Sequence, residues 1–483
     1  MQDLKIKTIS SLFWKLMERG GNAVVSLVVQ LVLARLLSPE EFGLLAIIIV
    51  FVNLGTVFVQ SGLNSALIQA PDLEEGDFST VFWMGIIIAS IIYALVFFLA
   101  PYISIFYGNP NLEWPLRVLA VLLFLNAFNA VQVAKVTRDL ELKKIFYATI
   151  ISVFVSGSFG IILAYCGAGI WSLVVQQIVY QLINCLVLSV LVEWRPVLYF
   201  SLKRAKTLFS FGWKLLFSGI LNTLYQSLSS LIIGKQFSQY DLGLVSQGEK
   251  YPQAIGNMID GAIQPVIFSA VSRVQSDIVS AKAIMQRALK TSAFLVIPTM
   301  SLFAIVAPSF VLLVLGDQWA AAIPFFQLYC LVYALYPIQT ANLQAINGLG
   351  RSDVFLKLEI IKKIYGTLII LFAAFVIQNI YAIVIGFIIS SFISMFVNSY
   401  PTNKLLGYGL FEQIKDLGPG IFLTIISGLL SWSVSLICVD HLLLLIIQPL
   451  IMGLSYFLIG KLLKIEELEY LISTVLEIMH SNK

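Results

Sequence analysis

Residues 33–45 read LARLLSPEEFGLL, and residues 233–245 read IGKQFSQYDLGLV. Set side by side, they pair Arg35 with Lys235, Ser38 with Ser238, Glu41 with Asp241, Gly43 with Gly243 and Leu44 with Leu244 at a constant offset of 200. Each stretch is a short polar interruption between two long apolar runs. The pairing extends outward: Trp14 and Lys15 answer Trp213 and Lys214, and Ala100, Pro101, Gly108 and Trp114 answer Ala307, Pro308, Gly316 and Trp319. Such self-similarity predicts an internal repeat of two halves in parallel orientation, each with an even number of membrane crossings.

Composition says what the apolar runs are. Hydrophobic residues make up 59% of the 483 and charged residues 12%, with a mean hydropathy of +0.93. A soluble domain carries about 45–50% apolar and about 25% charged residues, so this is an integral membrane protein. A helix needs about 20 apolar residues to cross the hydrocarbon. Dividing the chain at its charged and Pro/Gly punctuation predicts about fourteen transmembrane helices, the first at 10–35, the third at 79–100, the ninth at 291–315 and the last two at 417–438 and 441–462. The expected fold class is therefore all-α: two pseudo-symmetric six-helix lobes, 1–200 and 201–400, followed by 401–483 with two additional transmembrane helices and an amphipathic tail.

Lys and Arg then orient the chain. One set of connections holds twenty-six of the 30 basic residues; the other holds only Arg35, Arg117, Lys235 and Lys250. Basic loops stay inside, so both termini are expected in the cytoplasm. PDLEEGD at 71–77 has no basic residue, but acidic residues weigh little in this rule. The opening MQDLKIKTISSLFWKLMERGG lacks a small-residue cleavage pattern and is expected to stay in the mature protein. The tail IEELEYLISTVLEIMH has apolar residues at helical spacing, which suits an amphipathic helix lying either on the inner membrane surface or on the protein.

Chemistry at membrane depth needs polar groups, and these are costly unless they face a wet interior. Lys15, Arg19, Asn22, Ser26 and Gln30 form one stripe on the first span, with Glu18 beside them. Lys214, Ser218, Asn222, Tyr225, Gln226 and Ser229 repeat the device on the seventh. Asn53, Gln60 and Asn64 on the second span match Gln253, Asp260 and Gln264 on the eighth, again at 200. Glu249, Lys250 and Asn257 thicken that eighth stripe, and Pro252 and Pro265 bracket it with kinks. Two readings stand for each: the neutral side chains line a shared cavity or serve as interhelical glue, and Lys15, Arg19 and Lys214 face the cavity or snorkel to the interface. Asp260 lines the cavity or approaches the inner surface, and Glu249 with Lys250 is solvated or not. Four scattered cysteines and two histidines predict neither disulfides nor a metal site. No phosphate loop, HExxH or nucleophile elbow occurs, so no catalytic residues, no cofactor, no enzyme activity and no nucleic-acid partner are expected.

The phrase ARLLSPEEFGLLA, following a first span with internal charges, resembles the Wzx-type polysaccharide flippases of the multidrug/oligosaccharidyl-lipid/polysaccharide superfamily, in the branch that exports colanic and teichuronic acids. The resemblance implies a flippase of a bacterial cytoplasmic (inner) membrane that carries an undecaprenyl-pyrophosphate-linked oligosaccharide from the inner to the outer leaflet by alternating access, driven by a proton or sodium gradient. It also implies roles: Lys15, Arg19 and Lys214 for the pyrophosphate or acidic sugars; Asn22, Asn53, Gln60, Asn64, Asn222, Gln226, Gln253, Asn257 and Gln264 for glycan hydroxyls; Glu18 and Asp260 for ion coupling. Partners would be the lipid-linked oligosaccharide, membrane lipids, and the glycan polymerase and glycosyltransferases of the same pathway. A multidrug/ion antiporter of the same superfamily would be expected to line its cavity with carboxylates, whereas this stripe is cationic. A lipid II flippase shares the cavity logic. A membrane glycan polymerase or ligase would carry a large external loop, and the longest external connection here, 101–114, is short.

Overall fold

The computed structural model describes residues 25–60 and 73–481, with Trp14, Met17, Gly20, Gly21, Asn22, Gly62, Asn64, Leu67 and Ile68; the side chains of 211, 214, 262, 474–476 and 478–481 are outside the description. Thirteen described helices are long and apolar enough to cross a membrane, and Gly20–Leu36 is a shorter apolar one. In chain order they are α1 (Gly20–Leu36), α2 (Pro39–Gln60), α3 (Glu75–Tyr107), α4 (Pro110–Arg138), α5 (Leu142–Tyr165), α6 (Ile170–Leu191), α7 (Leu202–Gln236), α8 (Gln239–Arg273), α9 (Ile278–Leu315), α10 (Asp317–Gly348), α11 (Ser352–Ile377), α12 (Ile380–Leu406), α13 (Leu410–Leu436) and α14 (His441–Leu462). A further amphipathic helix, α15, covers Glu466–Ser481. The fourteen expected spans are these helices, but several run well past the apolar stretch. The ninth begins at Ile278 rather than 291, because Asp277 caps it: its carboxylate accepts from the backbone N–H of Val279 (3.1 Å) and Ser280 (3.2 Å).

The repeat is visible in local structure. Ser38 and Ser238 each start a helix: the Ser38 N–H bonds the Glu41 carboxylate at 2.7 Å, and the Ser238 hydroxyl accepts from the Asp241 N–H at 3.0 Å while donating to its carboxylate at 2.7 Å. These are two forms of one capping box. Pro101 and Pro308 sit inside α3 and α9. Gly108 and Gly316, at φ 67° and 104°, end those helices in the left-handed region that favours glycine. The fourth and tenth spans then both open with a 3-10 turn, Pro110–Leu112 and Asp317–Ala322.

The chain divides into two compact units, Met1–Gly243 and Leu244–Lys483. In the first, Phe78, Phe82, Val131, Trp194 and Leu208 form a buried core. Small residues let helices close on one another: a β-carbon on Gly157 would lie 2.5 Å from Val29, and one on Gly160 3.0 Å from Gln176. The PDLEEGD stretch is architectural. Asp77, buried, caps α3 through the Glu74 N–H (3.0 Å) and pairs with Arg204 of α7 (3.1 Å).

In the second unit, Val271, Met285, Leu289, Ala341 and Tyr408 are core. Buried Asn342 and Gln413 exchange amide hydrogen bonds of 2.9 and 3.0 Å, and Gln413 also donates to the Tyr408 carbonyl. Asn342→Leu strands the Gln413 amide, and the expected loss is about 1–3 kcal/mol. Adding Gln413→Leu should recover part of it; thermal unfolding in detergent checks both, and a single variant as stable as wild type would count against the pair. The first turn of α15 docks on the protein: Ile465 and Leu468 are buried with Phe294 and Leu423, which selects the docked reading of the tail for those turns.

Candidate functional site

Each unit carries a polar wall at membrane depth. In the first, Asn22, Ser26 and Gln30 of α1 line a cavity of about 150 Å³ with Ser156 of α5 and Gln176, Gln177 and Tyr180 of α6. The Ser26 hydroxyl donates to the Asn22 side-chain oxygen at 3.1 Å. Steps of four along a helix put these three on one face, and the sequence stripe is therefore a wall of this cavity as far as it is described. Its remaining members, Lys15, Glu18 and Arg19, lie outside the described residues.

Sequence reasoning missed the opposite wall. Gln176, Gln177, Tyr180, Gln181 and Asn184 recur at steps of three and four on the sixth span, a signal equal to that of the first. Gln176 lines the cavity, and its side-chain oxygen is buried with no hydrogen-bond partner, so this wall retains an unsatisfied acceptor.

The other expected residues of the first unit are not among those lining this cavity. Asn53 is exposed on α2; Gln60 donates to the Asn126 carbonyl at 3.4 Å; the Asn64 side-chain oxygen is buried without a partner. Asn222 and Gln226 are exposed on α7, and Lys214 lies in that helix with its side chain outside the description. Asn129 with Asn184 (3.2 Å) and Gln132 with Ser189 (2.9 Å) tie α4 to α6 and act as interhelical glue.

In the second unit, α8 and α10 share a file of hydrogen bonds. Asp260 accepts from the Thr340 hydroxyl and from the Gln264 amide (2.5 Å), and Gln264 in turn accepts from the Gln344 amide at 3.4 Å. Asp260 is thus half-buried and partnered, as a residue on the inward face must be. Eleven residues before Asp260, half-buried Glu249 accepts from the Tyr333 hydroxyl at 3.1 Å and from Gln253 at 3.4 Å. Gln253 and Asn257 are themselves exposed. The structure brings Asp260, Gln264 and Gln253 into this file and leaves Asn257 on its open side. Outside both walls, Arg117 pairs with Glu113 at 2.7 Å and covers the Phe97 ring, and the His441 ring meets the Ser309 hydroxyl at 3.3 Å.

Fourteen helices in two halves of related design, each with a hydrogen-bonding wall inside the membrane, define a multi-pass membrane protein of the carrier type. Solved structures agree on the fold: the lipid II flippase MurJ in an inward closed conformation superposes with a TM-score of 0.75 at 14% identity, covering 94% of this chain and 98% of that one. An inward-facing multidrug resistance MATE family transporter of the MOP superfamily gives 0.60 at 14% identity, covering 79% and 98%. The chain belongs to the polysaccharide biosynthesis protein family, whose sequence profile matches residues 32–324. Its relatives include the succinoglycan biosynthesis transport protein ExoT of Rhizobium meliloti (strain 1021), 25% identical over 355 residues with 73% of this chain and 72% of ExoT covered. The lipopolysaccharide biosynthesis protein WzxC of Escherichia coli (strain K12) is 24% identical over 365 residues, covering 74% and 73%. The teichuronic acid biosynthesis protein TuaB of Bacillus subtilis (strain 168) is 22% identical over 388 residues, covering 79% and 80%.

Proposed function

We propose that this chain is a flippase that moves an undecaprenyl-pyrophosphate-linked oligosaccharide from the cytoplasmic to the outer leaflet of a bacterial cytoplasmic membrane by alternating access, supplying exopolysaccharide or another surface glycan. The observation that carries this reading is the family match across 32–324, with relatives named for succinoglycan transport and for lipopolysaccharide and teichuronic acid biosynthesis. Physics makes the walls suitable: neutral amides and hydroxyls such as Asn22, Gln176 and Gln177 match the donors and acceptors of sugar hydroxyls, and the lipid tail can stay in hydrocarbon. The Lys/Arg distribution supports cytoplasmic termini. Lys15, Arg19 and Lys214, at the inner ends of their spans, hold the pyrophosphate or acidic sugars; Asn53, Gln60, Asn64, Asn222, Gln226, Asn257 and Gln264 are the proposed neutral contacts along the path. A proton or sodium gradient drives the cycle.

The test is mass spectrometry of lipid extracts from cells with and without the protein, combined with a leaflet-accessibility assay. A lipid-linked glycan that accumulates facing the cytoplasm, and disappears when the protein is restored, is the expected result. Absence of any such lipid in cells with no second flippase would instead favour an antiporter. Removing a charge-assisted hydrogen bond is worth about 1.5–3 kcal/mol. Lys15→Ala, Arg19→Ala and Lys214→Ala should therefore each slow transport roughly tenfold or more at normal membrane abundance. Full transport by all three would remove the cationic clamp.

A further inference from the structure

One carboxylate within the eighth span is not yet used by the flippase reading. Glu249 lies ten residues into α8, where a charge is costly unless its surroundings are built for it. The surroundings are three tyrosines of α10. The Tyr333 hydroxyl donates to the Glu249 carboxyl at 3.1 Å, Tyr336 packs on Tyr333 with ring centroids 4.6 Å apart, and buried Tyr329 lies one helical turn before Tyr333. Two glycines of α8 make the slot: a β-carbon on Gly256 would meet the Tyr333 ring at 2.7 Å, and one on Gly248 would meet Phe325 at 2.8 Å. From α8 the neighbouring titratable groups are Lys250 and Tyr251; α9 contributes the apolar Phe310, which Tyr251 meets edge-on with ring centroids 5.4 Å apart.

Both helices are weakened at this point. Pro252, three residues after Glu249, removes a backbone donor from α8. The tenth span is interrupted at Leu335, between Tyr333 and Tyr336, with Pro337 in the first turn of the next segment. A bend in either helix would change the distance between the carboxyl and the tyrosines.

Asp260 shows the contrast. Both of its oxygens are engaged, Oδ1 by the Thr340 hydroxyl and Oδ2 by the Gln264 amide, which Gln344 orients as a donor, whereas both bonds to Glu249 end on Oε1. A hydroxyl donates one hydrogen and accepts two. As a carboxylate, Glu249 accepts from Tyr333 and Gln253; once a proton binds, its O–H donates to a tyrosine oxygen with no change of partners. We infer that Glu249, held by Tyr333 and Gln253 beside Pro252 of α8 and the interruption of α10, is the site where this carrier binds and releases its coupling proton. The meaning of that proton rests on the flippase reading; the binding itself does not.

Infrared difference spectra of the purified full-length protein in detergent, acid against alkaline buffer, test it. Wild type should gain a protonated-carboxyl band on acidification; Glu249→Gln should lose that band, Asp260→Asn should keep it, and Tyr333→Phe, which retains the ring, should shift it. A Glu249→Gln spectrum identical to wild type, or a band that disappears only in Asp260→Asn, overturns the assignment. If Glu249→Gln fails to fold, Tyr333→Phe decides: a moved band supports the site and an unmoved one removes it. Cells that accumulate no lipid-linked glycan while the band behaves as stated would defeat the flippase reading and leave the proton site standing.

Discussion

Alanine at Gly43 or at Gly243 should remove most of the folded protein from the membrane. A β-carbon on Gly43 would stand 1.8 Å from the Gln239 carbonyl oxygen, and one on Gly243 1.9 Å from that of Pro39. The two copies of the repeated motif meet here backbone to backbone, each glycine against the residue that opens the other helix, all four within Met1–Gly243. No rotamer relieves a clash with main chain. Overpacking of a tight contact costs about 1–3 kcal/mol when neighbours can yield, and more when they cannot, so about 3 kcal/mol or more is expected from a total stability of about 5–15 kcal/mol. Gly453 of α14 has nothing within 4 Å of its β position; Gly453→Ala is the control and should be neutral or mildly stabilising. Membrane abundance and thermal midpoint read the effect. Wild-type values for both Gly43→Ala and Gly243→Ala would show that the motif tolerates separation.

Lys290→Met should be nearly as damaging, and for an electrostatic reason. The Lys290 ammonium reaches Glu467 at 3.2 Å and Glu466 at 3.3 Å, and the Glu467 side chain is only 8% exposed. Arg287 adds a contact to Glu466 at 3.4 Å and lies 4.4 Å over the Tyr470 ring. Deleting one member of a buried ion pair leaves the other charged and dry, at a cost of about 3–5 kcal/mol, whereas replacing both by apolar residues is often neutral. With Lys290 partly exposed, the lower end, about 3 kcal/mol, is expected, seen as a lower thermal midpoint and as proteolysis within α15. The pair Lys290→Met with Glu467→Leu should recover most of the loss. If the single variant matches the double one, α15 is held by Ile465 and Leu468 alone.

Much of the architecture was legible in the chain because the bilayer reduces it to counting. Apolar length set the fourteen helices, and the 200-residue offset exposed the two related halves before any coordinates. The paired motif even carried its own structural reason, since Ser38 and Ser238 are caps and Gly43 and Gly243 are contacts. Part of the candidate site was legible for the same cause: a helix turns 3.6 residues at a time, so Asn22, Ser26 and Gln30 had to share a face.

What periodicity could not supply was the partner of each stripe. Gln176, Gln177 and Tyr180 had the same spacing signal as the first span, yet nothing along the chain says that α6 stands opposite α1. Glu249 read as an ambiguous charge beside Lys250, and only the approach of α10 through the slots at Gly248 and Gly256 put the Tyr333 hydroxyl on it. The helix ends moved for a related reason: capping by Asp77 and Asp277 extends α3 and α9 beyond their apolar stretches, and hydrophobicity is blind to caps. The sequence by itself determined which segments enter the membrane and which faces are polar, because transfer energy and helical pitch are local properties. Only the tertiary structure decided which polar faces meet, because that depends on close packing between helices far apart in the chain.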